Sequence, residues 1–374
     1  MKRRKKRLHP AVLFSLLLCL CLSPLTLSRE EAGAFSLSGA ALRVENAVEK
    51  AKAEALQELA HIRKVYRLAP GSLAPEPDPA GYRVLHSHEE VLSLLEEAAE
   101  LLDGREPFFN GETPFEPEEG VHCYRDESIL VLLWHQSVTE LKVDWPHKAT
   151  MAEIFLSDAG QFRRALSGDR FGSELLKTPT DMAAEVNAVY ASSGDFYRFR
   201  SEGLCVYEGE LCRFNASRVD SCAVDDKGDL LFLPAGMFRS EQEAKDYIAA
   251  HHISFTLSFG PILAENYRKV EPDYFYPLGE SYERYSRLLL GQRDALHYLE
   301  MDIVDHITPF DAADILLQMG VERCYALDGG QTATMVMEGN AQNLSLFGFG
   351  NAAQRTQSDI IYFVSAVPAA ERSP

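Results

Sequence analysis

The sequence predicts an α+β fold: a mixed, largely antiparallel sheet core with flanking helices, preceded by an N-terminal helical region. Three observations carry this. Short β-rich runs crowd the chain from about Ser128 onward, at Ile129–Trp134, Ala152–Leu156, Gly203–Tyr207, Leu230–Leu233, Ile253–Phe259, Ala295–Ile303 and Ile360–Val364. Helical stretches interleave at Ala159–Leu166, Ser240–Ala250 and Pro309–Met319, without strict strand–helix–strand alternation. The 374 residues are 46% hydrophobic and 25% charged, ordinary values for a globular chain with a large core. Global disorder, collagen-like repetition and a multi-span membrane protein are excluded, and no internal repeat is present.

The elements follow in order. Residues 1–34 read as a signal peptide or membrane anchor. Lys2, Arg3, Arg4, Lys5, Lys6 and Arg7 precede an apolar run from Ala11 to Leu27, and Ala32-Gly33-Ala34 resembles a small-x-small cleavage site. The rest of the chain is therefore expected to be extracytoplasmic, secreted or held at the membrane by this segment. Residues 35–68 read as a helical stalk, with Val44, Val48, Ala51, Ala55, Leu59 and Ile62 at helical spacing; a helix packed on the domain fits the same pattern. Residues 69–119 form a proline-rich linker and a helix, opened by a capping box of Ser87 with Glu90 and ended near Gly104. Residues 120–366 form the main domain and 367–374 a tail. Within the domain, Thr308 caps a helix that starts on Pro309 and exits on Gly320.

Charge narrows the partners. The net charge is −19, and six of the 37 basic residues lie in the first seven positions, leaving 31 against 56 acidic residues. A surface that negative repels phosphate backbones, so no nucleic-acid partner is expected. A local basic pocket for one phosphate remains compatible with it. Beyond the apolar run, the cysteines are Cys123, Cys205, Cys212, Cys222 and Cys324, with no zinc-type spacing. Cys205 and Cys212 flank a Glu208-Gly209 turn, which would set them across a hairpin within disulfide reach. Buried thiols acting as small apolar side chains fit equally.

Two segments could carry chemistry. In Leu327-Asp328-Gly329-Gly330-Gln331-Thr332-Ala333-Thr334-Met335, an acid meets paired glycines and two threonines. Such a loop frees backbone N–H groups to face an anion, and Asp328 can act as acid or base; an ordinary Asp-Gly turn gives the same pattern. In Ser193-Gly194-Asp195-Phe196-Tyr197-Arg198-Phe199-Arg200, one acid lies among aromatics and arginines. Burial would raise its pKa and a guanidinium would lower it. His86 with His88 and His251-His252 lack companion acids. Nucleophile-elbow, phosphate-loop, dinucleotide and zinc-protease motifs are absent. No cofactor and no metal is called for.

In order, these pieces resemble the phosphodiester glycosidase family over about residues 120–365. The family's Asn-Gly-Asp-aromatic-aromatic segment is matched by Ser193-Gly194-Asp195-Phe196-Tyr197, and its spaced glycines by Gly203 and Gly209. Its Phe-Gly-Pro-x-Leu segment is matched by Phe259-Gly260-Pro261-Ile262-Leu263, and its Arg before a Gly by Arg287 and Gly291. Its Leu-Asp-Gly-Gly-Gly-Ser-Ser-Thr-Met segment is matched by Leu327 to Met335, and its late Asn and Arg by Asn343 and Arg355. Ser193 replaces the family's Asn, although Asn187 lies just upstream. Gln331 replaces a glycine, and Thr332-Ala333 the serine pair. The family's Asp-Gly-Arg is missing, with Asp302-Ile303-Val304-Asp305-His306 in its place.

The resemblance implies hydrolysis of a sugar joined through its anomeric carbon to a phosphodiester, in a phosphoglycan or polysaccharide. It implies Asp328 and Asp195 as catalytic acids. It implies Arg287, Arg355, Gly329, Gly330, Thr332, Thr334 and Asn343 as substrate-binding residues. The missing Asp-Gly-Arg leaves a second expectation, a surface-anchored protein that binds glycan without cutting it.

Overall fold

The computed structural model describes residues 66–138, 147–195, 197–215, 218–270, 284–343 and 354–371. The expected signal or anchor and the stalk up to residue 65 lie outside these residues. In chain order the strands are β1 (Tyr82–Leu85), β2 (Val121–Arg125), β3 (Ile129–Val138), β4 (His147–Leu156), β5 (Phe162–Leu166), β6 (Ala188–Ser193), β7 (Cys205–Tyr207), β8 (Glu210–Arg213), β9 (Ser221–Val224) and β10 (Leu230–Leu233). They continue with β11 (Phe255–Leu257), β12 (Ile262–Glu265), β13 (Arg268–Lys269), β14 (Arg284–Asp294), β15 (His297–His306), β16 (Arg323–Ala326), β17 (Met335–Met337), β18 (Asn340–Ala341) and β19 (Asp359–Val364). The α-helices are α1 (His88–Glu97), α2 (Ala99–Leu102), α3 (Pro179–Glu185), α4 (Glu241–Ala250) and α5 (Pro309–Gln318). The fold is α+β and its strand ladders are antiparallel, as the sequence predicts.

A nine-stranded sheet, ordered β1-β2-β3-β4-β15-β14-β16-β12-β13, forms the middle layer. Its strands are apolar on both faces because both faces are covered. Along β3, Leu130, Leu132 and Trp134 join one core with Val91 and Leu94 of α1 and Ala312, Ala313 and Leu316 of α5. Ile129, Val131 and Leu133 point the other way, into a core shared with Val189 and Tyr190 of β6 and Ile361 and Phe363 of β19. The latter strands belong to a five-stranded sheet, β18-β17-β6-β19-β5. A three-stranded sheet, β10-β9-β11, contributes Cys222, Val224, Leu230, Phe255 and Leu257 to the same core.

Local signals act as expected. Ser87 accepts from the Glu90 amide and Glu90 answers with the reciprocal bond, starting α1. Thr308 caps α5 and Gly320 turns its exit at φ +81°. The Glu208-Gly209 turn joins β7 to β8 with both residues at positive φ. A bulge between Cys205 and Val206 then sets Cys205 opposite Arg213 instead of Cys212, and both cysteines are free thiols.

One reading needs correction. Ala159–Leu166 is not a helix: Ala159–Gln161 is a 3-10 turn and Phe162–Leu166 is β5, paired with β19. Phe162 stacks on Phe363 at 4.5 Å, and the inward-facing Arg164 had given the segment a helix-like mix of charge and apolar residues. The strand expected at Ala295–Ile303 is the second arm of a long hairpin, β14 and β15, turned at Ala295-Leu296. Residues 82–102, read as linker and helix, join the same sheet and core through β1, α1 and α2. Among the described residues no helix is long and apolar enough to cross a membrane.

Candidate active site

The glycine loop begins where β16 ends. Leu289 of β14 pairs with Ala326 of β16, and the Leu327 amide donates to the Leu288 carbonyl at 2.9 Å. The ladder ends there, and Asp328 and Gly329 follow beside the start of β14. The contact continues at Gly329. A β-carbon there would lie 2.6 Å from the Ser286 carbonyl oxygen and 4.0 Å from the Arg287 Cα, so only glycine admits this approach of loop to strand. Arg287 is half-buried, with its Nε donating to the Ile307 carbonyl at 3.0 Å. Gly329 and Gly330 are partly exposed and Gln331 is exposed, so the loop crest faces solvent.

Asp328 is 8% exposed. Its amide donates to the Gly194 carbonyl at 3.2 Å, which joins the loop to the end of β6. Burial pushes its carboxyl up to about 7. The Thr332 side chain and, more weakly, Arg200 pull it down, while Asp359 and Asp195 push it further up. Arg200 is anchored to the Ser258 and Phe259 carbonyls at 3.0 and 3.2 Å, with its guanidinium 5.3 Å from the Phe259 ring centre.

Beneath Asp328 lies a buried charge cluster. Arg164 of β5 donates Nε to Asp359 Oδ2 at 2.9 Å, and its Nη2 lies 2.9 Å from that oxygen and 3.5 Å from Asp195 Oδ2. It also donates to the Thr256 carbonyl. Asp359 Oδ2 accepts the Asp195 amide at 2.9 Å, and Asp195 Oδ2 accepts the Ser258 amide at 2.8 Å. All three charged side chains are fully enclosed. One guanidinium therefore faces two carboxylates. Burial pushes Asp359 up, Arg164 pulls it down and Asp195 pushes it up again. Burial works against the charge of Arg164, but Asp359 and Asp195 raise its pKa and keep it cationic. A β-carbon at Gly194 would lie 2.3 Å from Asp359 Oδ2. Gly194→Ala is therefore expected to cost about 1–3 kcal/mol in denaturant unfolding; wild-type stability would contradict this packing.

The remaining residues fix the loop from its sides. Ser193 Oγ donates to the Thr332 carbonyl and accepts from the Thr334 amide at 2.9 Å and from Gln357 Nε2 at 3.0 Å. Thr332 turns its hydroxyl to the Gly329 carbonyl, and Thr334 donates to the Thr332 carbonyl at 3.0 Å. Asn343 spends both ends of its amide internally: Oδ1 accepts from Met335 at 3.0 Å, and Nδ2 donates to Asp302 at 2.7 Å and to the Ala333 carbonyl at 2.9 Å. Arg355 is exposed, two residues before Gln357. Asn187 bonds the Ala74 carbonyl at 2.8 Å, away from this set. The structure thus brings Asp328, Asp195, Arg287, Gly329, Gly330, Thr332, Thr334 and Asn343 together, with Arg355 on an adjoining exposed stretch. Arg200 comes from the second segment singled out in the sequence; Arg164, Asp359 and Gln357 complete the set and carry no sequence signal that marks them. Among the described residues no group of three or more His, Cys, Asp or Glu side chains is arranged to hold a metal ion.

Two further buried acids flank the loop on β15. Burial pushes Glu300 up to about 7 and Asp302 to about 6, against hydrogen bonds from Ser192 and Tyr190 to the first and from Ser286 and Asn343 to the second. With Asp328, these groups hold protons in the fold that the unfolded chain has lost. Stability is fully present below about pH 4 for these groups and is lost as pH rises through 6 to 7. The melting temperature is expected to be lower at pH 8 than at pH 5.5, with Glu300→Gln flattening the fall. A melting temperature that rises over this interval would contradict it.

A carboxyl held near neutrality beside a guanidinium and an amide-rich loop is equipment for acid–base chemistry on an anionic substrate. Residues 186–364 match the phosphodiester glycosidase family. The fold is similar to the catalytic domain of zebrafish N-acetylglucosamine-1-phosphodiester alpha-N-acetylglucosaminidase, in a form auto-inhibited by its pro-peptide. That match has a TM-score of 0.52 at 14% identity, covering 64% of this chain and 84% of the zebrafish one. A hypothetical protein from Synechocystis matches with a TM-score of 0.50 at 12% identity, over 68% of this chain and 65% of its own. At such identities the likeness is one of fold. No curated protein matches the sequence.

Proposed function

We propose that the chain is an extracytoplasmic hydrolase that releases a sugar from a sugar-1-phosphodiester in surface or exopolysaccharide glycans. The observation that carries this is the nearly buried Asp328 carboxyl, raised to about 7, at the base of a glycine loop that packs at Gly329 against the Ser286–Arg287 backbone of β14. Water attacks the anomeric carbon, the bond from that carbon to the phosphate oxygen breaks, and a phosphomonoester departs. Such a leaving group needs charge stabilisation more than a strong acid. Arg287 supplies a fork for the phosphate oxygens, and the Gly329 and Gly330 amides add neutral donors, in a loop that the Thr332 hydroxyl braces through the Gly329 carbonyl. Arg355 adds charge from the rim. Asp328 moves the proton of the attacking water. Asp195, bonded to the Ser258 amide beside Arg164, holds the geometry on which Asp328 depends.

Arg287→Ala tests the anion clamp. It is expected to lower kcat/KM on a sugar-1-phosphodiester by on the order of 10²-fold with the fold intact. Unchanged turnover would remove Arg287 from the site. The loss of the family's Asp-Gly-Arg favours a second reading, a glycan-binding protein of the same fold. It predicts retention of cell-wall polymer without new reducing ends, whereas the hydrolase releases them. The extracytoplasmic placement rests on the basic head and apolar run of residues 1–34. Protease access to the intact domain from outside the cell tests it.

A further inference from the structure

We propose that Asp302 is a positioning residue of this site, which holds both ends of the glycine loop and so sets the height of the Asp328 carboxyl. The inference rests on the hydrolase reading above. Asp302 lies on β15 and is 2% exposed. One of its oxygens takes the Ser286 hydroxyl. Ser286 is the residue whose carbonyl presses on Gly329, immediately after Asp328. The other oxygen takes Asn343 Nδ2 at 2.7 Å. Through the rest of its amide, Asn343 fixes the Ala333 carbonyl at 2.9 Å and the Met335 amide at 3.0 Å, where the loop re-enters β17.

The loop from Asp328 to Met335 thus hangs between two side chains that share one carboxylate. Asp302 touches neither Asp328 nor the solvent-facing crest, so its effect must pass through Ser286 and Asn343. The charged groups that face Asp328 directly are Asp359, Asp195 and Arg200. A shift in loop height alters its distance from all three. A displacement of about 1 Å in such a group is enough to cost up to about 10²-fold in rate.

The test compares Asp302→Ala with Asp302→Asn in the full chain. Asparagine keeps the shape: its oxygen accepts from Asn343, and its amide donates to the Ser286 hydroxyl oxygen. Asp302→Ala is expected to lower kcat by at least about 10-fold with KM within about 3-fold, and Asp302→Asn to restore kcat to within about 3-fold of wild type. The titration of Asp328, followed by carbon-13 NMR of labelled carboxyls without substrate, is expected to move in Asp302→Ala. A folded Asp302→Ala with wild-type kcat and an unmoved Asp328 titration would overturn the proposal, as would equal losses in the two variants. If Asp302→Ala does not fold, Ser286→Ala cuts one arm alone and must show the same pattern. The hydrolase reading fails separately, if Asp328→Asn keeps full turnover; the NMR titration tests the link from Asp302 to Asp328 in either case.

Discussion

Asp328→Asn is expected to abolish hydrolysis of a sugar-1-phosphodiester, lowering kcat by about 10²–10⁴-fold while KM changes little. The asparagine keeps the size of the side chain, and the loop contact at Gly329 with the β14 backbone beside Arg287 is untouched, so the anion clamp survives. What it loses is a group able to exchange a proton near neutral pH. The same substitution should not destabilise the fold. Asp328 is nearly buried and its pKa is raised by that burial, so its ionised form weakens the native state above pH 7. At pH 8 the variant is therefore expected to melt at the wild-type temperature or above it. Loss of activity with equal or higher stability marks a residue kept for chemistry. A variant that loses both would place Asp328 among the structural acids.

Arg164→Met is expected to have the largest effect on stability. Two carboxylates, Asp195 and Asp359, lie around this guanidinium with no exposure to solvent. Removing the cation leaves them enclosed and uncompensated. Breaking a buried ion pair from one side costs about 3–5 kcal/mol. For a domain of this size that lowers the melting temperature by on the order of 10 °C. Arg164→Lys keeps the charge but cannot span Asp359, Asp195 and the Thr256 carbonyl with one planar group, so partial recovery is expected. Thermal melts of the three proteins decide this. An Arg164→Met protein that melts with wild type would show that the cluster does not hold the site.

Much of the fold is legible in the sequence because its signals are local. The Ser87–Glu90 capping box, the Thr308 cap with Pro309, and the Glu208-Gly209 turn act within a few residues. The apolar run from Ile129 becomes a strand covered on both faces, as its composition requires. The loop at Asp328 is legible for a similar reason, since paired glycines beside an acid mark a backbone that must approach something closely. Arg164 and Asp359 are not legible. An arginine in Phe162-Arg163-Arg164-Ala165-Leu166 reads as a surface residue until two acids from distant segments are placed around it. Asp359 sits at the start of an apolar strand, where an acid ordinarily marks only a boundary. Asn343, expected at the substrate, directs its amide to Asp302, Ala333 and Met335. Spacing shows that a polar residue recurs in a motif, but not which way its side chain turns.

The central claim is that Asp328 exchanges the proton of the reaction. The most direct measurement is the pH dependence of kcat/KM on a sugar-1-phosphodiester for wild type and Asp328→Asn. The wild-type profile is expected to break near pH 7, and the residual rate of the variant to lose that break. A variant that turns over at the wild-type rate, or whose profile keeps the same break, would contradict the claim.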